Sequence, residues 1–263
     1  MLLVVDVGNT NVTLGVYEGK TLRVNWRLST NKDSSADEIG MLLLGLMEHD
    51  NISPLQIEDV IISSVVPPVM YSLNHAMRKY LNKTPMVVDS SVKSNLTIRY
   101  DNPKEVGADR IVNAIGAIAE YKTPMVIVDF GTATTFCVIN DKNEYLGGAI
   151  LPGIKISMSA LFERTAKLPR IEIAKPTHAI GTNTVDSMQA GVYYGYVGGV
   201  DYTVSKIKEE LGRDDVTVIA TGGLARMIAE DSKTIQHIDT KLTLKGLYTI
   251  YQQNRGEGPC TAK

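Results

Sequence analysis

What most constrains the fold of this chain is a pattern stated twice. Residues 4–17 read VVDVGNTNVTLGVY and residues 127–139 read IVDFGTATTFCVI. In each, an apolar strand runs into Asp-x-Gly, a small polar turn follows, and a second apolar strand returns. Asp6 aligns with Asp129, Gly8 with Gly131, and Asn9-Thr10 with Thr132-Ala133. The copies stand about half the chain apart, which predicts two related lobes. The plain reading of either copy alone is a β-hairpin with Gly and Asn in its turn. Two copies with Asp, Gly and Thr in register favour chemistry instead. Glycine lets the backbone bend sharply and approach a ligand. Turn N–H groups and threonine hydroxyls suit an anion, and a strand-end carboxylate suits a hydrated cation.

Composition narrows the function classes. With 263 residues, 44% of them hydrophobic, the chain can support two modest lobes with proper cores. A net charge of −2 argues against a general nucleic-acid binder, which needs a basic face. The two cysteines, Cys137 in an apolar strand pattern and Cys260 in a Gly/Pro-bearing tail, form neither a disulfide framework nor a zinc site. Four histidines lack metal-ligand spacing, and His49 and His75 fall on helix patterns. No basic leader precedes the first strand and no apolar run is long enough to span a membrane, so a cytoplasmic protein without membrane partners is expected. The sequons at Asn11, Asn51, Asn82 and Asn95 are then coincidental.

Along the chain, strands are predicted over 2–7, 12–17 and 22–28. Ser35 caps a helix with Glu38 three residues on, a capping box, and Ala36, Ile39, Leu43, Leu46 and Met47 form its core stripe. A strand over 60–66 ends at Pro67-Pro68. Helices over 69–80 and 107–121 flank a strand over 86–88. The pattern restarts with strands over 125–129, 134–139 and 145–150, then a helix over 156–164. A long helix over 184–211 carries Gly191, Gly195, Gly198 and Gly199, each weakening it by about 1 kcal/mol relative to alanine. Close backbone packing there is expected, either between lobes or between subunits. A strand over 216–220 leads into Thr221-Gly222-Gly223, where a ribose or adenine could approach the backbone. A last helix covers 242–253, and the tail from 255 reads as frayed. Lys20-Thr21 after Gly19 is no P-loop, because Leu14 stands where the first glycine is required. The order predicts an α/β protein of two lobes, residues 1–120 and 121–263, with a nucleotide cleft between them.

Asp6 and Asp129 at strand ends suit metal-assisted phosphoryl transfer. Gly107-Ala108-Asp109-Arg110 opens a helix just after Tyr100 and Asp101. Asp109 there is either an ordinary acidic helix start or a general base toward a hydroxyl. Arg110 would then hold a carboxylate or the transferring phosphate. Thr184, in Gly181-Thr182-Asn183-Thr184, reads as a helix N-cap.

Taken together, Asp6-Val7-Gly8-Asn9-Thr10-Asn11, Gly107-Ala108-Asp109-Arg110 and Asp129-Phe130-Gly131-Thr132 closely resemble the type III pantothenate kinases. That bacterial family belongs to the acetate kinase, sugar kinase and actin superfamily, and the resemblance runs over nearly the whole chain. It implies two ribonuclease H-like lobes of the actin-like ATPase type and ATP-dependent phosphorylation of pantothenate, the first step toward coenzyme A. Carried over by motif, Asp6, Val7, Gly8, Asn9, Thr10, Asn11, Val12, Thr13 and Thr132 would contact ATP. Asp109 would accept the proton of the pantothenate hydroxyl. Tyr100, Gly107, Ala108, Asp109, Arg110 and Thr184 would bind pantothenate. Asp129 would hold a monovalent cation, potassium or ammonium, with magnesium accompanying ATP. The family is dimeric, which matches the subunit-interface reading of the glycine-bearing helix. Rival readings are a superfamily kinase for another small alcohol, a transcription-accessory regulator of the same family, and an actin-like structural protein.

Overall fold

The computed structural model describes residues 1–89 and 92–255, so the tail beyond 255 and Cys260 lie outside the described residues. The first half of the chain supplies β1 (Leu2–Val7), β2 (Asn11–Glu18), β3 (Thr21–Ser29), α1 (Ala36–His49), β4 (Asp59–Ser64), α2 (Pro67–Leu81), β5 (Met86–Val87), β6 (Thr97–Ile98) and α3 (Ala108–Glu120). The second half supplies β7 (Met125–Phe130), β8 (Ala133–Ile139), β9 (Glu144–Pro152), α4 (Ile154–Glu163), α5 (Thr184–Leu211), β10 (Thr217–Gly222), α6 (Ala225–Ala229), β11 (His237–Ile238) and α7 (Leu242–Asn254).

Two sheets follow one plan. The first runs β3-β2-β1-β4-β5 and the second β11-β10-β7-β8-β9-β6. In each, the Asp-bearing strand is central. It pairs antiparallel with its own hairpin partner and parallel with a strand that returns after helices. The repeat seen in two short motifs therefore extends to whole sheets. The central strands are buried almost throughout: Leu3, Val4, Val5 and Val7 of β1, and Met125, Val126, Ile127 and Val128 of β7. Near-continuous apolar runs are what a strand covered on both faces requires.

In the first unit, α1 and α2 cover one face through Leu43, Met47, Leu73 and Met77. Ser35 caps α1, with Glu38 completing the capping box. Pro67-Pro68 do more than stop a strand: they open α2. Proline suits that position because its missing N–H would have no helical partner there anyway.

The division of the chain departs from 1–120 and 121–263 in two places. One unit comprises Met1–Asn95, Asn102–Ala119 and the segment from Leu242; the other comprises Leu96–Asp101 and Glu120–Lys241. Helix α7 thus belongs with the first unit, packing on β1, β2 and β4. Its Leu242, Leu247 and Ile250 are fully buried, and Tyr248 stacks on Tyr17. Glycines allow the close approach. A Cβ on Gly246 would stand 2.0 Å from the Val112 carbonyl of α3, and one on Gly116 2.9 Å from the Gly246 nitrogen. Strand β6 departs the other way, pairing parallel with β9.

The glycines of α5 behave differently from that expectation of close packing within the chain. A Cβ on Gly191, Gly195, Gly198 or Gly199 would meet no atom of another element within 4 Å among the described residues. The helix buries its opposite face, including Tyr193, Val197, Val200 and Val204.

Candidate active site

In the first unit, β1 delivers Asp6 to a turn that closes on itself. The Gly8 N–H donates to the Asn11 carbonyl at 3.0 Å. Thr30, just past β3, braces the turn twice: its N–H donates to the Thr10 carbonyl and its hydroxyl to the Gly8 carbonyl, at 3.0 and 2.7 Å. Asn9 and Thr10 at the tip are exposed, and Asn11, Val12 and Thr13 return along β2 half-buried. The Val65 N–H donates to the Val7 carbonyl at 3.0 Å. Val65 also approaches Gly107, its Cγ1 standing 3.8 Å from where a Gly107 Cβ would be. One short segment after β4 therefore ties the Asp6 strand end to the start of α3, and brings the first two motifs together.

At that helix start, Asp109 Oδ1 accepts a hydrogen bond from the Arg110 N–H at 2.9 Å. Gly107 leaves room for this carboxylate orientation, since a Cβ there would lie 2.5 Å from the same oxygen. Asp109 is half-buried, and its carboxylate lies where the helix N-terminus favours negative charge. Ala108 is the first residue of α3.

In the second unit, the Gly131 N–H donates to the Ala133 carbonyl at 3.1 Å. Asp6 faces Thr13 whereas Asp129 faces Thr135, so the second turn is one residue shorter and the two copies fall out of step after Ala133. Gly153, ahead of α4, supports this turn by having no side chain: a Cβ there would lie 2.0 Å from the Thr132 carbonyl. Gly222 does the same for Asp129. Its φ is +91°, and a Cβ would stand 2.6 Å from Asp129 Oδ1 and 2.7 Å from the Phe130 carbonyl. The glycine of Thr221-Gly222-Gly223 thus leaves room for the Asp129 carboxylate.

Tyr100 and Thr184 stand on other elements of the second unit. The Tyr100 ring lies over Gly147, whose φ is +128° and whose Cβ would be 3.4 Å from the ring. The segment leading into it is pinned by Arg99, which donates to Glu144 at 2.8 Å. Asn140 and Arg99 hold the Glu144 carboxyl below its ordinary value. Thr184 is not the cap of α5; Asn183 is, accepting from the Asp186 N–H at 2.9 Å. Thr184 instead lines an open depression of about 460 Å³ with Thr182, Asn183, Ser187 and Met188.

Thr30, Val65 and Gly153 escaped sequence reasoning, and Gly222 was read only as a place for ribose or adenine to approach, because each acts on a turn far away in the chain. Only Gly222 had a visible signal, its place in a Thr-Gly-Gly run after a strand.

This duplicated α/β plan is the fold of the actin-like ATPases and sugar kinases. The activator of the 2-hydroxyisocaproyl-CoA dehydratase from Clostridium difficile, solved with bound ADPNP, shares the fold at 12% identity, with a TM-score of 0.55 and 99% of both chains covered. Component A of the (R)-2-hydroxyglutaryl-CoA dehydratase from Acidaminococcus fermentans does so at 12% identity and a TM-score of 0.56, over 97% of this chain and 99% of that one. Within that class, residues 2–206 match the family model described as type III pantothenate kinase. The type III pantothenate kinases of Exiguobacterium sp. strain AT1b and Halalkalibacterium halodurans are each 54% identical, over 97% of this chain and all of theirs. The chain belongs to the type III pantothenate kinase family and is a kinase.

Proposed function

We propose that the protein transfers the γ-phosphoryl group of ATP to the primary hydroxyl of pantothenate, forming phosphopantothenate for coenzyme A synthesis, with Asp109 as the base. The observation that carries this reading is the pairing of Gly107 with Asp109. A bare glycine lets the carboxylate fold over the helix start, and only one of its two oxygens is engaged by the Arg110 N–H. The other is available to a hydroxyl proton. Arg110 holds the anionic part of the reactants. Tyr100, Gly107, Ala108 and Thr184 complete the contacts to pantothenate. The turn from Asp6 through Val7, Gly8, Asn9, Thr10, Asn11 and Val12 to Thr13, together with Thr132, holds ATP.

For the monovalent cation the donor set fits. The Asp129 carboxylate and the Phe130 carbonyl both face the space that a Gly222 Cβ would fill, and oxygen donors are what a hard cation takes. Bound there, the cation offsets the negative charge of the phosphates. Among the described residues no cluster of three acidic, histidine or cysteine side chains could hold a metal by itself. Magnesium commonly binds through substrate phosphates and one or two carboxylates, and Asp6 is the carboxylate suited to it. A homodimer is supported by the free face of α5, where Val185, Tyr194 and Tyr202 are exposed beside glycines that meet no other element among the described residues. No helix among the described residues is long and apolar enough to cross a membrane, in keeping with work in the cytoplasm.

The test is ADP release with ATP and magnesium, with and without pantothenate, in potassium and then sodium buffer. Release that needs pantothenate and potassium is expected, and Asp109→Asn should fold yet lose most of it. Release from Asp109→Asn at the wild-type rate would remove Asp109 as the base. Sedimentation of Gly195→Leu checks the dimer: a folded monomer is expected, and an unchanged dimer would move the interface elsewhere.

A further inference from the structure

The two sheets repeat a row of side chains as well as a turn. Asp6 is in register with Thr13 on β2 and with Ser63 on β4. Asp129 is in register with Thr135 on β8 and with Thr221 on β10. Residues paired across a sheet share a face, so each strand-end carboxylate stands between two hydroxyl side chains. The hairpin threonines are half-buried. The hydroxyls on the parallel neighbours are deep, Ser63 at 0% exposure and Thr221 at 2%.

Ser63 is the informative member. Its Oγ is buried with no hydrogen-bond partner among the described residues. Such an orphan is a net cost in the free protein, and alanine would fit the space without that penalty. Native proteins keep few such groups, so each calls for a reason. The hydroxyl lies beside Asp6 and near the segment after β4 that ties Asp6 to Gly107.

We propose that Ser63 is a positioning residue for Asp6: its hydroxyl donates to the Asp6 carboxylate when nucleotide and metal draw that carboxylate into its working orientation. Ser63 touches no reactant. It removes one rotational choice from the group that does, and the stability forgone in the free protein is recovered on loading. Thr221 is its counterpart beside Asp129. The inference rests on the reading of Asp6 as a contact of the ATP–magnesium complex.

The experiment uses the full chain. Ser63→Ala should melt at or above the wild-type temperature. It should bind a non-hydrolysable ATP analogue with magnesium about tenfold more weakly by calorimetry, as the loss of one hydrogen bond to a charged group predicts. In a double-mutant cycle, Ser63→Ala should add nothing to Asp6→Asn, because the two act through one group. Additive losses, or a Ser63→Ala protein with wild-type affinity and a higher melting temperature, would overturn the proposal. If Ser63→Ala does not fold, Ser63→Cys keeps the side-chain shape with a somewhat larger atom and weakens the donor. Affinity about threefold lower supports the proposal, and wild-type affinity overturns it. Wild-type analogue binding by Asp6→Asn alone would instead remove the reading of Asp6, whatever Ser63 does.

Discussion

The turn after β1 and the turn after β7 begin with the same Asp-x-Gly, yet they are supported by opposite means. The first is held by added atoms: Thr30 contributes a hydroxyl and an N–H to two of its carbonyls. The second, besides the Gly131 bond to Ala133, depends on missing atoms: Gly153 and Gly222 leave bare backbone against Thr132 and Asp129. A brace made of hydrogen bonds weakens by degrees when trimmed, because water replaces a lost partner at a half-buried turn. A brace made of close backbone approach fails abruptly, because a Cβ placed 2.0 Å from a carbonyl oxygen has nowhere to go. One motif can therefore recur in a chain with its two copies differing in sensitivity to substitution.

The comparison can be broken most sharply at Gly153. Gly153→Ala should reduce turnover by about a hundredfold and lower the melting temperature, since the overlap is with backbone. Gly8→Ala in the other turn, where a Cβ would lie 3.2 Å from the Asn11 carbonyl, should be much milder. Equal losses in steady-state kinetics would end the distinction. Next in size is Gly222→Ala. A positive φ and a Cβ 2.6 Å from Asp129 Oδ1 should raise the potassium concentration for half-maximal rate about tenfold. A titration of rate against potassium checks it, and an unchanged midpoint would separate Asp129 from the cation.

Thr30→Val sharpens the comparison from the first turn. Losing the 2.7 Å bond to the Gly8 carbonyl should cost about 1 kcal/mol, read as a several-fold higher KM for ATP with kcat little changed. The smallest effect concerns acid stability. Asp201 on α5 accepts from the Lys233 N–H at 2.9 Å, Ser232 at 2.6 Å and Thr234 at 2.7 Å. Burial opposes its ionisation, but these donors outweigh burial and hold the carboxyl below its ordinary 3.8. A depressed carboxyl adds stability that is complete above the unfolded value and fades as pH falls through the folded one. Asp201→Asn should therefore be less stable than wild type by about 1 kcal/mol at neutral pH, with the gap closing in acid and turnover unaffected. Denaturant melts at pH 7 and below pH 4 test this, and a gap that persists in acid would count against it.

Much of this was legible from residues near one another in the chain. The Asp-x-Gly repeats, the Ser35–Glu38 capping box and the bounds of α5 are local patterns, and local sterics and hydrogen bonding suffice to set them. Asp109 and Arg110 were legible as a helix start for the same reason, whereas the room that Gly107 leaves for Asp109 was not. Errors arose where a distant segment decided the matter. Helix α7 follows the second unit in the chain but finishes the first, because the apolar face of β1 lacked a cover that only its leucines and Gly246 supply. Of the two readings of the α5 glycines, packing within the chain is not what the protomer shows, since they face open space, which leaves the subunit reading, while the tight contact within the chain is made by Gly116 and Gly246, which drew no notice. Thr184 passed for a cap because it sits one residue from Asn183, and only the direction of the Asn183 side chain distinguishes them.

From the sequence alone came the doubled plan, the two strand-end carboxylates and the helix-start aspartate, because side-chain periodicity and turn chemistry are properties of consecutive residues. Tertiary structure decided which neighbours hold those groups in place: Thr30 and Val65 in one unit, Gly153 and Gly222 in the other. A hydrogen bond across a sheet, or room for a carboxylate beside bare backbone, depends on distances between residues far apart in the chain, and no local pattern encodes those distances.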